Sequence, residues 1–211
     1  KEVFFSQLHH PGQLGQSDFT NMNKLGITIG GMPFDHLIYH FVLTYSNWET
    51  GSICFSESFE SLSQGLQNGL WELGGVPEMH RTDCLTTAVQ KTSHPDEFTL
   101  RYQDLLDHYG LKGCKTNPES PHENGDVEQR HYRFKQAVDQ ALMLRNSRDF
   151  AGRSEYEQFL VKLFKQLNAG RRKRFLEEQP VLHRLPKHRI EACKKSTTRV
   201  GPSSTIRINH N

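Results

Sequence analysis

The stretch "LGQSDFTNMNKLGITIGGMPFDHLIYHFVLTYSNWETGSICFS", residues 14–56, decides the fold. "LGQSDFTNM" (14–22) alternates over a short run and leads into a Gly-rich turn, "GITIGGMP" (26–33). "FDHLIYHFVLTY" (34–45) is dense in Phe, Tyr, Val, Ile and Leu and predicts a buried strand. "SNWETG" (46–51) predicts a turn, and "SICFS" (52–56) a third strand. The segment therefore predicts a three-stranded antiparallel meander.

The pattern changes downstream. "SFESLSQGLQNGLWEL" places Phe59, Leu62, Leu66, Leu70 and Leu73 at helical spacing, with Ser58 as N-cap. "GGVPEMHRTD" leads into a short strand ending near Asp83. "PDEFTLRYQDLLDHYG" predicts a second helix stopped by Gly110, and "LKGCKTNP" a fifth strand ended by Pro118. A long helix is expected from about Asp126 to Arg145, with Val127, Phe134, Val138, Ala141 and Leu142 as its apolar stripe. Residues 154–178 predict one more helical stretch, with the basic cluster "GRRKR" (170–174). The order β-β-β-α-β-α-β-α predicts an α/β, ribonuclease H-like fold: a mixed five-stranded sheet flanked by helices, with a C-terminal helical and basic extension. The expected divisions are a catalytic core over 1–149, a helical extension over 150–186, and a basic linker with the start of a truncated small β-domain over 187–211. The last strand, "STIRINHN", has no partner in the sequence, and a lone strand is not stable by itself.

Composition narrows the class. The chain has 211 residues, 35% hydrophobic and 24% charged, enough for one sizeable core. No apolar run reaches the ~18 residues that span a bilayer. The start, "KEVFFSQLHH", has neither an initiator Met nor a small-residue cleavage site, so an excised fragment is expected. Cys54, Cys84, Cys114 and Cys193 form no CxxC pair, which predicts a reducing cytoplasm rather than a disulfide framework. Charge is uneven. Residues 1–150 hold 12 Lys/Arg against 19 Asp/Glu, and residues 151–211 hold 14 against 5. An acidic body with a basic arm points to a polyanionic partner. Arg171, Arg172, Lys173 and Arg174, followed by Lys187, Arg189, Lys194, Lys195 and Arg199, are the basic residues expected to contact that polyanion.

In a ribonuclease H-like fold, carboxylates on the first and fourth strands face each other, and one from a helix completes a cage. Such a cage holds two divalent ions ~4 Å apart, Mg²⁺ or Mn²⁺. Asp18, inside the first strand, and Asp83, ending "EMHRTD", occupy the two strand positions.

"QSDFT", "HRTD" and "NPESPHENGDVEQ" together resemble the DDE transposase and integrase core. "PGQLGQSDFT", "VLTYSNWETG", "LWELGGVPEMHRTD", "HENGDVEQRHYRFKQAVDQAL" and "STIRINHN" extend the resemblance to the IstA transposases of the bacterial insertion-sequence-twenty-one family. The resemblance implies transposon-end DNA, target DNA, a helper ATPase, a homo-oligomer on DNA, and a nucleoid-associated place in the bacterial cytoplasm. It also implies cleavage of the transposon 3′ end by a metal-activated water, then attack of the freed 3′-OH on a target phosphate.

The third acid must be chosen among Glu119, Glu123, Asp126 and Glu128. The retroviral spacing, thirty-five residues after the second acid, selects Glu119, which follows Asn117-Pro118 at a strand end. "SPHE" reads as a capping box that uses Glu123, and Asp126 suits the first helical turn. Glu128 lies inside the helix. Lys135 follows it by seven residues, at 100° each only 20° off its face, and so can meet a neighbouring phosphate. Related integrases carry a lysine at that offset. Asp18, Asp83 and Glu128 are therefore the expected catalytic metal ligands. Forty-four residues separate Asp83 from Glu128, a longer loop than the retroviral pattern, and Cys84-Leu85 replaces the usual Asn-Gly. The rivals are a ribonuclease H-like nuclease without strand transfer and a non-catalytic DNA-binding assembly module. His36 and His40 predict ordinary strand histidines rather than a zinc pair. Trp48 and Trp71 predict core or turn aromatics.

Overall fold

The computed structural model describes residues 8–82, 95–114 and 121–191; side chains at 95–98 and 121–130 fall outside that description. Five strands form the main sheet: β1 (Leu14–Asn21), β4 (Leu37–Leu43), β5 (Glu49–Cys54), β6 (Met79–Thr82) and β7 (Lys112–Cys114), in the order β5-β4-β1-β6-β7. β1 pairs antiparallel with β4 and β4 with β5, which is the expected meander; β1, β6 and β7 run parallel. The turn expected at "SNWETG" is shorter than its six residues, because β5 already begins at Glu49, opposite Val42.

Period-two alternation splits the sheet into two faces. Tyr39, Phe41 and Leu43 of β4 pack with helices α1 (Phe59–Leu73) and α2 (Pro95–Tyr109). Ile38, on the other face, packs with α3 (Pro121–Arg145) and α4 (Arg153–Ala169). The helical spacing in α1 is borne out: Phe59, Leu62, Leu66, Leu70 and Leu73 are all buried. Ser58 caps the helix by accepting the Ser61 N–H at 3.3 Å, and Gly74, at φ +79°, ends it. At Gly65 an added Cβ would run into the Tyr39 ring, so glycine there sets how closely α1 approaches β4.

Three boundaries differ from expectation. α3 begins at Pro121, five residues before Asp126, because proline suits the first helical turn. The stretch 154–178 is two helices, α4 and α5 (Arg172–Glu178), parted at Gly170-Arg171. Finally, Asp149–Phe150 forms a short strand, β8. It pairs with β2 (Thr28–Ile29), which also pairs with β3 (Met32–Pro33) across the "GITIGGMP" turn. Phe150 is buried in the second core, so the extension grows out of that core.

The extension is packed against the sheet. Tyr156, Leu160, Leu163 and Phe164 of α4 are buried in the second core. The buried Glu178 of α5 accepts the Gly12 N–H at 3.0 Å and the Ser46 N–H at 3.2 Å, and Phe175 stacks on Trp48 at 5.8 Å. Beyond α5, His183 bridges to Val76, and the Ile190 backbone bonds to the Gln67 amide through both its N–H and C=O. The segment expected to be free linker is thus held on α1 as far as Ile190. "STIRINHN" lies outside the described residues. Among the described residues no helix is long and apolar enough to cross a membrane.

Candidate functional site

β1 is the central strand, and its two faces do different work. Ser17 points into the α1/α2 layer. There its hydroxyl meets Tyr39 Oη at 2.7 Å and His80 Nε2 at 2.9 Å, while His80 Nδ1 meets Tyr102 Oη at 2.8 Å. This buried polar chain has every member partnered, as burial requires. Burial alone pushes the His80 imidazole down to about 3, so the ring is neutral.

Asp18 is one residue on and projects to the opposite face. Its Oδ1 accepts the Phe19 N–H at 2.7 Å, and its Oδ2 lies 3.6 Å from His131 Nε2. The side chain is 34% exposed, so it borders solvent at the rim of the second core. His131, on α3, is fixed from behind. Its Nδ1 is 2.7 Å from Thr20 Oγ1 and 3.3 Å from His40 Nδ1. His40 is fully buried, stacks on Phe134 at 4.7 Å, and donates from Nε2 to Glu49 Oε2 at 2.7 Å. Glu49 also receives the Arg171 guanidinium. Burial pushes the Glu49 carboxyl up, but the His40 hydrogen bond and Arg171 together more than offset this and hold it below the ordinary carboxylate value. A continuous chain therefore runs Asp18, His131, His40, Glu49, Arg171.

The other expected site residues divide into three groups. Asp83 lies outside the described residues, but Thr82 before it pairs with Ser17, the residue before Asp18. Glu128 lies within α3, one turn before His131, and its side chain is outside the description; Lys135 is half-buried one turn after His131. The basic cluster sits elsewhere. Arg172, Lys173 and Arg174 are exposed on α5, at the end of the sheet where Glu178 caps Gly12. Gly12 lies two residues before β1, and the four strand steps from Leu14 to Asp18 alone span roughly 13 Å. Arg171 departs from the expected phosphate role, since its guanidinium is turned onto the buried Glu49. Lys194 and Lys195 are outside the described residues. Among the described residues no three His, Cys, Asp or Glu side chains form a metal cluster.

Sequence reasoning missed His131, Glu49 and the role of His40. His36 fits the strand-histidine expectation: it is buried between Phe34 O at 2.8 Å and Tyr156 Oη at 2.9 Å, and burial lowers its pKa. His40 is more than that, because it joins two elements. The only signal available was the offset of His131, three residues after Glu128, on the same side of a helix.

No family model matches the chain. It is 42% identical over 192 residues to the uncharacterized protein y4jA/y4nE/y4sE of Sinorhizobium fredii, covering 90% of this chain and 38% of that protein. It is 26% identical over 219 residues to the putative transposase for insertion sequence IS408 of Burkholderia multivorans, covering 92% of this chain and 39% of the relative. The chain thus spans about two fifths of the length of both relatives. Among solved structures it is similar to the simian T-cell lymphotropic virus intasome in complex with PP2A regulatory subunit B56 gamma. The TM-score is 0.62 at 14% identity, over 92% of this chain and 64% of that one. It is also similar to the catalytic core domain of BIV integrase, with a TM-score of 0.55 at 18% identity, over 80% of this chain and 97% of the core. The HTLV-2 integrase catalytic core, solved in complex with magnesium, matches with a TM-score of 0.50 at 18% identity, over 75% of this chain and 87% of that one. The architecture is the ribonuclease H-like fold of integrase catalytic cores.

Proposed function

We propose that this chain is the catalytic core of a DDE transposase, with Asp18, Asp83 and Glu128 as the acids that hold two Mg²⁺ or Mn²⁺ ions. The observation that carries the reading is the contact between β1 and α3 at Asp18 and His131, beside the strand that ends at Thr82. In a parallel pair, register neighbours project to one face. Ser17 and Thr82 pair in this register, and each stands one residue before an expected acid, Asp18 and Asp83, the latter outside the described residues. His131 already faces Asp18, and Glu128 and Lys135 lie within about 60° of it around the helix. Glu119 precedes α3 in the sequence and lies outside the described residues.

The donors suit the ion. Mg²⁺ and Mn²⁺ take carboxylate oxygens and keep open positions for water and phosphate, and Asp18 is a carboxylate at a solvent-bordering rim. When bound, the ions supply an activated oxygen nucleophile and charge stabilisation for the leaving oxygen. The chain's own residues align the reactants: Asp18 is carried on β1, Glu128 on α3, and Lys135, also on α3, meets a flanking phosphate. The product of 3′-end cleavage, a free 3′-OH, then attacks a target phosphate in the same site: its oxygen forms the new phosphodiester, the target strand's own 3′-oxygen leaves, and the proton lost by the attacking hydroxyl is matched by the one the leaving oxygen takes up.

The finer reading, an IstA-type transposase acting with a helper ATPase as an oligomer on two transposon ends, rests on the quoted motifs. The similarity to an insertion-sequence transposase supports its coarser part. A strand-transfer assay with labelled end DNA and target plasmid tests it. Wild type joins ends to target in Mn²⁺ or Mg²⁺, and Asp18→Asn does not. Release of hydrolysed ends that are never joined would favour the nuclease rival.

A further inference from the structure

We infer that Arg133 and Arg171 frame a binding site for one phosphodiester of the DNA backbone, in a cleft between α3, the end of α4 and the β4–β5 turn. That the anion belongs to DNA rests on the proposed function.

The cleft has a volume of about 350 Å³ and is lined by Arg133, Arg171, Glu49, Phe134 and Leu167 among others. Glu49 turns Arg171 away from the exposed basic cluster, but that bond uses only part of the guanidinium. Its hydrogen bonds to Glu49 Oε1 and, at 3.4 Å, to Asn168 Oδ1 both leave from Nη1. A guanidinium carries five N–H donors in a planar fork. Among the described residues the Nε and Nη2 edge donates to no protein group, and the side chain is 28% exposed, so solvent reaches it. The anchor beneath is fixed. Glu49 is 5% exposed, and the Asn168 side-chain amide takes both its N–H and its C=O, at 2.9 Å and 2.7 Å. The end of α4 is thereby clamped on β5, and Arg171 is ordered before any ligand arrives. Such preorganisation spares the side-chain entropy that a free arginine loses on binding.

Charge selects an anion. The Glu49 carboxylate offsets one guanidinium of the cleft, and the second leaves it net positive. Arg133 is exposed and enters none of the ion pairs among the described residues. Position selects the phosphate of a strand in the site. His40 stands opposite Asp18, and Glu49 opposite Val42, so Glu49 lies two strands and two residues from Asp18. That is roughly 12 Å across the sheet. The two side chains share the face that α3 covers. A strand reacting at Asp18 brings further phosphates within that reach, since its charges recur every ~3.4 Å of helix axis. Guanidinium edges match phosphate oxygens bidentately, and the exposed Arg172, Lys173 and Arg174 follow directly in the chain.

Anisotropy of a labelled duplex in EDTA, over a range of salt concentrations, tests the site without any catalytic step. Arg133→Gln should weaken binding roughly tenfold at low salt. It should lower the slope of log affinity against log salt by about 0.9, the value for one phosphate. Arg171→Lys keeps a charge beside Glu49 but loses the fork. It should weaken binding in the wild-type background and add little to Arg133→Gln, because both act on one phosphate. Fully additive losses would overturn the shared site, and an unchanged slope in Arg133→Gln would overturn the DNA contact. Should Arg171→Lys fail to fold, the exposed Arg133→Gln decides alone. Melting curves in inorganic phosphate, against chloride at equal ionic strength, separate the sources. Stabilisation of wild type that Arg133→Gln loses, with duplex binding unchanged, would give the cleft to free phosphate and overturn the DNA assignment. Self-association lost in Arg133→Gln at an unchanged slope would overturn it in favour of a protein carboxylate. A lowered slope in Arg133→Gln, with no metal-dependent joining by wild type, supports the cleft and overturns the catalytic reading. Normal joining with an unchanged slope overturns the cleft alone.

Discussion

At the scale of single residues, the site combines groups legible in the sequence with groups that are not. Asp18 stands out because a charge inside a strand is costly unless something uses it. Glu49 and His40 are hidden, since their partnership spans β4, β5 and the residue before α5, and only packing brings these together. Removing one member of such a buried pair leaves an uncompensated charge, so Arg171→Ala should cost about 3 kcal/mol in urea unfolding at pH 7. The Glu49 carboxyl lies below its ordinary value of 4.5 in the folded chain. Its contribution is therefore complete above pH 4.5 and fades as pH falls further. His80 titrates in a different window. It stays neutral in the fold down to about pH 3, while the unfolded chain takes up the proton near 6.5. Stability should fall between those values by up to about 1.4 kcal/mol per pH unit. His80→Gln should show a shallower decline from about pH 6 to about pH 5 than wild type; equal slopes would contradict the buried neutral ring. Millimolar Mn²⁺ should raise the wild-type melting temperature by mass action and leave that of Asp18→Ala unmoved.

At the scale of elements, strong periodicity is readable and boundaries are not. The α1 pattern and its cap survive intact, because the apolar spacing, Ser58 and Gly74 all favour the same helix. The "SPHE" capping box, with Pro121 in the first turn, marks the start of α3 five residues before Asp126, where the helix is expected to begin. The break between α4 and α5 is invisible to periodicity, since Phe164 and Phe175 both read as apolar faces. It falls where Arg171 turns onto Glu49. The α1–β4 contact gives a sharp test: Gly65→Ala improves helix propensity, yet its methyl group meets the Tyr39 ring. A net loss of about 1–3 kcal/mol in chemical denaturation is expected. A stabilised variant would show that α1 can move off the sheet without cost.

At the scale of the whole molecule, the fold class is legible because the strand and helix order admits few topologies, whereas the division at residue 149 rests on composition. A basic stretch looks separable from an acidic body, but β8, α4 and α5 bury Phe150, Tyr156, Phe164 and Glu178 against the sheet. Truncation after Phe150 should therefore unfold the core, and charge reversal is the cleaner probe of the basic arm. Arg172→Glu, Lys173→Glu and Arg174→Glu together should flatten the dependence of log affinity on log salt. The expected change is about 0.9 for each phosphate no longer neutralised, alike for unrelated duplexes. An unchanged slope would assign the cluster to protein contacts. The catalytic assignment is tested most directly by strand transfer on labelled end DNA with the helix and loop acids changed one at a time. The account predicts that Glu128→Gln abolishes both end cleavage and joining while DNA binding survives, and that Glu119→Gln and Glu123→Gln keep most of the activity. An inactive Glu119→Gln beside an active Glu128→Gln would contradict it.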